Sequence, residues 1–139
     1  MIRILVSIAI ATVVVRSAGA QAPVTGSRSV TAIGTWRGTS LCLVRPSACH
    51  DEVVVYRITA RPGRDSVTMD ARKIVDGQEE EMGVLACGVT SAASTAVDVT
   101  CPIPNAVWRF HVRGDSLVGE LLRRDSTKFR DVRARRGGS

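Results

Sequence analysis

From Ile33 onward, apolar and polar residues alternate in short segments, and clusters of turn residues separate them at intervals of about ten positions, the all-β pattern. β-Branched residues dominate the segments, and no window sustains a helical period. The alternation predicts a first pair of strands over Ile33 to Val44 and Glu52 to Ala60, and a third over Ser66 to Val75 after the Arg61-Pro62-Gly63-Arg64-Asp65 turn. Asp76-Gly77 turns the chain into a fourth strand that enters through Glu79-Glu80-Glu81, a solvated stretch, and runs to about Val89. A fifth, Ala96 to Ile103, follows the small-residue turn Ser91-Ala92-Ala93-Ser94, and Pro102-Ile103-Pro104-Asn105 is expected to break the ladder. The sixth strand places Trp108, Phe110 and Val112 on one face and Arg109 and His111 on the other. A Gly114-Asp115 turn sets Phe110 opposite Gly119 and Trp108 opposite Leu121, and a ring over a strand glycine is a good packing solution. Beyond Arg124-Asp125-Ser126-Thr127 the last strand sets Gly119 opposite Val132 and Arg130 beside Leu121, and the tail from Arg135 is expected to fray.

About eight strands joined in sequence by short turns make an antiparallel meander. Eight suffice to close a barrel that is filled by side chains or holds one small ligand; the alternative is a β-sandwich. A membrane-spanning barrel is disfavoured, because aromatic residues are too few for two girdles and most strands are too short.

The N-terminus adds a compartment. Arg3, the apolar run Ile4 to Val15 and Ala18-Gly19-Ala20 have the layout of a secretory signal over residues 1–20. Residues 21–30 form a polar lead, 31–136 one β domain and 137–139 a tail. Four cysteines in an exported chain predict disulfides. Centring the first hairpin on Arg45-Pro46 sets Cys42 opposite Cys49, and centring the second on Ser94 sets Cys87 opposite Cys101, Val89 opposite Val99 and Leu85 opposite Ile103. The pairing Cys42–Cys49 and Cys87–Cys101 follows from these two local symmetries. Carried onward, the first register would put Arg57, instead of Tyr56 and Ile58, on the face of Trp36, so a bulge is expected near His50–Glu52.

The formal net charge of +6 is concentrated at the C-terminal end, where Arg123, Arg124, Lys128, Arg130, Arg133, Arg135 and Arg136 face only Asp125 and Asp131. Charge protecting a strand edge is the favoured explanation, with an anionic partner as the alternative. Nucleic acid is excluded as a partner, since the basic residues lack interleaved stacking aromatics.

His50-Asp51-Glu52 is the most reactive-looking cluster. Neighbouring strand residues point to opposite faces, and His111 is the only other histidine, so a metal site is not expected and the cluster reads as a turn exit. Ser40 would face Asp51 in the strict register, which is a coincidence of the hairpin, so no catalytic residue and no cofactor is assigned. Trp36, Tyr56, Trp108 and Phe110, with Arg130, are the candidate ligand-binding residues of a barrel interior.

Gly34-Thr35-Trp36 resembles the Gly-x-Trp signature of lipocalins and other calycins. That resemblance implies a tryptophan closing one barrel end against an arginine of the last strand, for which Arg130, Arg133 and Arg135 are the candidates. The wider set Gly-Thr-Trp-x-Gly, Cys42, Ser47-Ala48-Cys49-His50-Asp51-Glu52, Val54-Val55-Tyr56, Cys101-Pro102 and Asn105-Ala106-Val107-Trp108 resembles a group of small uncharacterised exported bacterial proteins, implying a secreted or periplasmic β protein. The expected function is non-enzymatic binding of a small apolar or amphipathic ligand. The alternative is a protein-binding module such as an envelope protein or a secreted protease or lysozyme inhibitor.

Overall fold

A computed structural model describes residues 31–62, 65–93 and 95–137; the expected signal over 1–20, the expected lead over 21–30 and the last two residues of the expected tail lie outside this range. Eight antiparallel strands run β1 Gly34–Cys42, β2 Glu52–Ala60, β3 Ser66–Val75, β4 Gln78–Ala92, β5 Ala96–Ile103, β6 Ala106–Arg113, β7 Ser116–Arg123 and β8 Lys128–Arg136. They pair in chain order, and β8 closes on β1. The barrel therefore has two poles. One carries the 43–51 loop and the turns at 76–77, 104–105 and 124–127; the other carries the remaining turns, residues 31–33 and the end of β8.

Alternation decides the inside. Trp36, Val54, Tyr56, Ile58, Val67, Met69, Cys87, Val97, Val99, Cys101, Phe110, Val112, Leu117 and Val132 form one buried cluster, with Leu85, Val89 and Trp108 packed against it. The β6–β7 register follows the Gly114-Asp115 turn, with Phe110 against Gly119 and Trp108 against Leu121, and β8 continues it with Gly119 against Val132 and Leu121 against Arg130. Both expected disulfides, Cys42–Cys49 and Cys87–Cys101, are formed.

Five local expectations are corrected. The β1–β2 ladder pairs Trp36 with Tyr56 and Ser40 with Glu52 along its whole length, so the residue assigned to a bulge is absorbed by the loop between Cys42 and Glu52. Strand β4 extends to Ala92, and its register slips by one after Val89, setting Ser91 against Asp98; Leu85 and Ile103 lie beyond this ladder. Pro102 does not break β5. It pairs with Val107 on β6 at a level where β4, whose ladder stops at Thr100, makes no demand on a missing N–H. A bulge instead interrupts β3–β4 between Ala71 and Arg72, opposite Met82. Beyond it the hairpin folds over the outer face of β2, so that Glu79 reaches Arg57 at 2.7 Å and Arg37 at 3.2 Å, while Glu80 and Glu81 stay exposed. The Arg57 guanidinium holds the Glu79 carboxyl below the usual carboxylate range.

The tail is the fifth correction. Arg135 and Arg136 belong to β8, and the Gly137 N–H donates to the Thr35 carbonyl at 2.8 Å.

Candidate functional site

The arginine that meets Trp36 is Arg136, not one of the three candidates named from the sequence. Its guanidinium carbon lies 4.3 Å from the centre of the indole ring, and its two terminal nitrogens donate to the carbonyls of Ile33 at 2.6 Å and Thr31 at 2.8 Å. The indole N–H donates to the Ala32 carbonyl at 2.9 Å, and Trp36 has no exposed surface. Gly34 makes this possible. Its φ of 137° disfavours any side chain, and a Cβ there would sit 2.6 Å from the Arg136 guanidinium. Trp36 thus seals one pole of the barrel, fully buried beneath Arg136.

Nearer the other pole, Tyr56, Phe110 and Trp108 form a continuous aromatic wall. Tyr56 meets Phe110 edge to face at 5.7 Å, and Trp108 stacks on Phe110 at 5.6 Å. Arg130 stands above them, pointing inward from β8. It contacts Glu52 at 3.1 Å, donates to the Ser40 hydroxyl at 3.0 Å and carbonyl at 3.3 Å, and reaches the His50 carbonyl at 3.2 Å. These groups sit at only 12% and 15% side-chain exposure for Arg130 and Glu52, and 1% for Ser40, so they form a polar stopper over the core. Tyr56, Phe110, Trp108 and Arg130 therefore come together, while Trp36, paired with Tyr56 across β1–β2, turns its indole to Arg136.

Sequence reasoning missed Ser40 and Glu52 as partners of Arg130. The only available signal was their pairing on β1–β2, which the one-residue register difference concealed. Members of the His50-Asp51-Glu52 cluster go to different tasks. The His50 carbonyl holds Arg130, the Asp51 carboxylate accepts from the Cys42 N–H at 2.8 Å and from Arg45 at 3.3 Å, and Glu52 joins the stopper. Ser40 spends its hydroxyl on Arg130 and stands opposite Glu52, so it is not paired with Asp51 as a nucleophile would need.

Burial pushes the Tyr56 hydroxyl well above its ordinary range. The Arg130 charge opposes this, the Glu52 charge adds to it, and a hydrogen bond with Ser40 opposes it again. Tyr56 is the only tyrosine, so its ionisation can be read directly at 295 nm. No phenolate should form in the folded protein at pH of about 10, where an exposed tyrosine is half ionised. In the unfolded chain the proton is lost there while the folded state keeps it. The Tyr56 contribution to stability is then flat below about pH 10 and falls above it. A half-ionised tyrosine near pH 10 in native protein would refute the burial.

Space is found outside. A groove of about 770 Å³ crosses the outer face of β5 to β8, floored by the strand backbone at Val99, Phe110, Gly119 and Val132, where the Val99, Phe110 and Val132 side chains turn into the core. Its walls carry Val107, Val118, Arg109, Arg133, the His111–Asp98 pair at 2.6 Å, and Lys128 bridging Asp131 at 2.7 Å and Glu120 at 3.5 Å. A smaller recess of about 440 Å³ lies between the turns at 104–105 and 124–127, where the Arg123 guanidinium covers Phe129 at 4.6 Å.

Comparison with known proteins finds no matching family model, no matching curated protein and no matching solved structure.

Proposed function

We propose that this chain is an exported, non-enzymatic β-barrel that binds a small amphipathic molecule on its outer face, in the groove over β5 to β8. The observation that carries the reading is where the space lies. The interior is occupied by its own side chains and stoppered by Arg130, Glu52 and Ser40, whereas the outer groove has the volume of a small-ligand site and presents the apolar side chains of Val107 and Val118. Two disulfides support an oxidising compartment, as the signal pattern at residues 1–20 does. The Trp36–Arg136 closure supports the calycin-like character expected of Gly34-Thr35-Trp36.

Native mass spectrometry of protein purified without denaturation tests the proposal. A retained small molecule that is lost when Val118→Asp places a negative charge in the groove is the expected result. An adduct that survives this change but is lost on Trp108→Ala would return the site to the interior.

A specific observation favours a second reading, that of a protein-binding module. Leu41, Leu43 and Val53 are 40%, 45% and 53% exposed beside the disulfide-bearing 43–51 loop. Protein free of small molecules, carrying one stoichiometric protein partner that Leu43→Asp releases, would favour it over the first.

A further inference from the structure

Closure of the barrel changes what the basic C-terminal end means. Charge on an edge strand discourages strand addition, but β8 has β7 on one side and β1 on the other, so it has no edge to protect. Its outward arginines need another account, and so do those of β6.

Outward positions of β6, β7 and β8 alternate in rows. Arg109 pairs with Glu120 and Asp131 stands beyond it; His111 pairs with Val118 and Arg133 stands beyond; Arg113 pairs with Ser116 and Arg135 stands beyond. The acids of this face are already engaged. Lys128 holds Glu120 and Asp131, His111 holds Asp98, and Arg136 holds Asp115 at 3.2 Å. Among the described residues, Arg109, Arg113, Arg133 and Arg135 have no carboxylate within ion-pair distance, and all four are exposed. Two of them, Arg109 and Arg133, are walls of the groove, on strands either side of β7. Between these strands β7 presents Glu120 beside Arg109 and Val118 beside Arg133, and Val118 is 44% exposed.

A site with two unengaged guanidiniums set diagonally about an exposed valine, one beside it and one a row away, has defined chemistry. Guanidinium presents a planar fork of donors that matches carboxylate, sulfate or phosphate oxygens. Val118 and Val107 offer apolar surface that a purely ionic partner would not use. We infer that the groove selects a free amphipathic organic anion, its acidic head held between Arg109 and Arg133 and its apolar body lying along Val118 and Val107. This rests on the reading of the groove as the binding site and adds the class of ligand to it. Arg113 and Arg135, one step along the same strands, extend the positive field that draws an anion in.

Decanoate, below the concentration at which it aggregates, is a suitable probe, with decanol as its uncharged counterpart and heparin as a polyanion without an apolar body. Amide and methyl NMR shifts on titrating the full chain from residue 21 onward report where each binds. Decanoate is expected to move β6–β8 resonances and the Val118 methyls, and to bind at least tenfold more tightly than decanol, as two charge-assisted contacts imply. Arg109→Gln with Arg133→Gln should lower decanoate affinity by about tenfold or more, while Arg61→Gln leaves it unchanged. The substituted arginines hold nothing in the fold, so a native-like spectrum of the double variant is expected.

Equal binding of decanol and decanoate at Val118 would overturn the anion assignment and leave the amphipathic-binding proposal standing. Decanoate shifts confined to Tyr56 and Trp108 would overturn both. Heparin saturating the face while decanoate does not bind would overturn the requirement for an apolar body.

Discussion

Replacing Gly38 with alanine is expected to cost about 3 kcal/mol of stability, at the upper end of what overpacking a closed core costs. Gly38 lies on β1 opposite Ala134, and a Cβ there would fall inside contact distance of the Arg133 carbonyl and the Ala134 Cα. Both obstacles are backbone, so no rotamer change relieves them. The effect belongs to the β1–β8 seam, the one pairing that joins the two ends of the meander. Urea unfolding of the alanine variant checks it, and a midpoint equal to that of the unsubstituted protein would show that the seam has slack. Hydrogen exchange should locate the loss in β1 and β8 before the β6–β7 hairpin, whose contacts are local.

The second large effect concerns the polar stopper. Arg130→Met should destabilise by about 3 kcal/mol, because it leaves a largely buried Glu52 carboxylate without its cation. Three hydrogen-bond acceptors, the Ser40 hydroxyl and the Ser40 and His50 carbonyls, lose the Arg130 donor as well. Changing both members of the pair should cost clearly less than the sum of the single changes, since the isolated charge is then removed too. Additive losses in this cycle would mean that Arg130 and Glu52 do not depend on each other.

The parts of this molecule that were legible in its sequence are those built by adjacent residues. Alternation and Gly114-Asp115 set the whole β6–β7 register, and Phe110 over Gly119 could be named from it. Local symmetry about two turns gave both disulfides. The β1–β2 parity could not be read the same way. A cross-link between Cys42 and Cys49 tolerates a loop of either parity, so the disulfide fixed proximity without fixing register. Arg136 was concealed for a different reason. Its partners, Thr31, Ile33 and Trp36, lie about a hundred residues away, and only closure of the sheet brings them to it. The groove is harder still to foresee. It depends on the curvature of four strands and on which arginines are left over after lysine, histidine and the carboxylates have paired.

The Arg136 contacts also bear on how the protein is made. Arg136 clasps Thr31 and Ile33, so the first described residues wait on nearly the last ones before the barrel is complete. Contacts so distant in sequence carry a high closure cost, which makes for slow folding. A nascent chain lacking β8 would expose β1 and β7 as open edges able to pair with other copies. Folding of the barrel is thereby deferred until β8 is present, and until then the seven preceding strands form an open sheet.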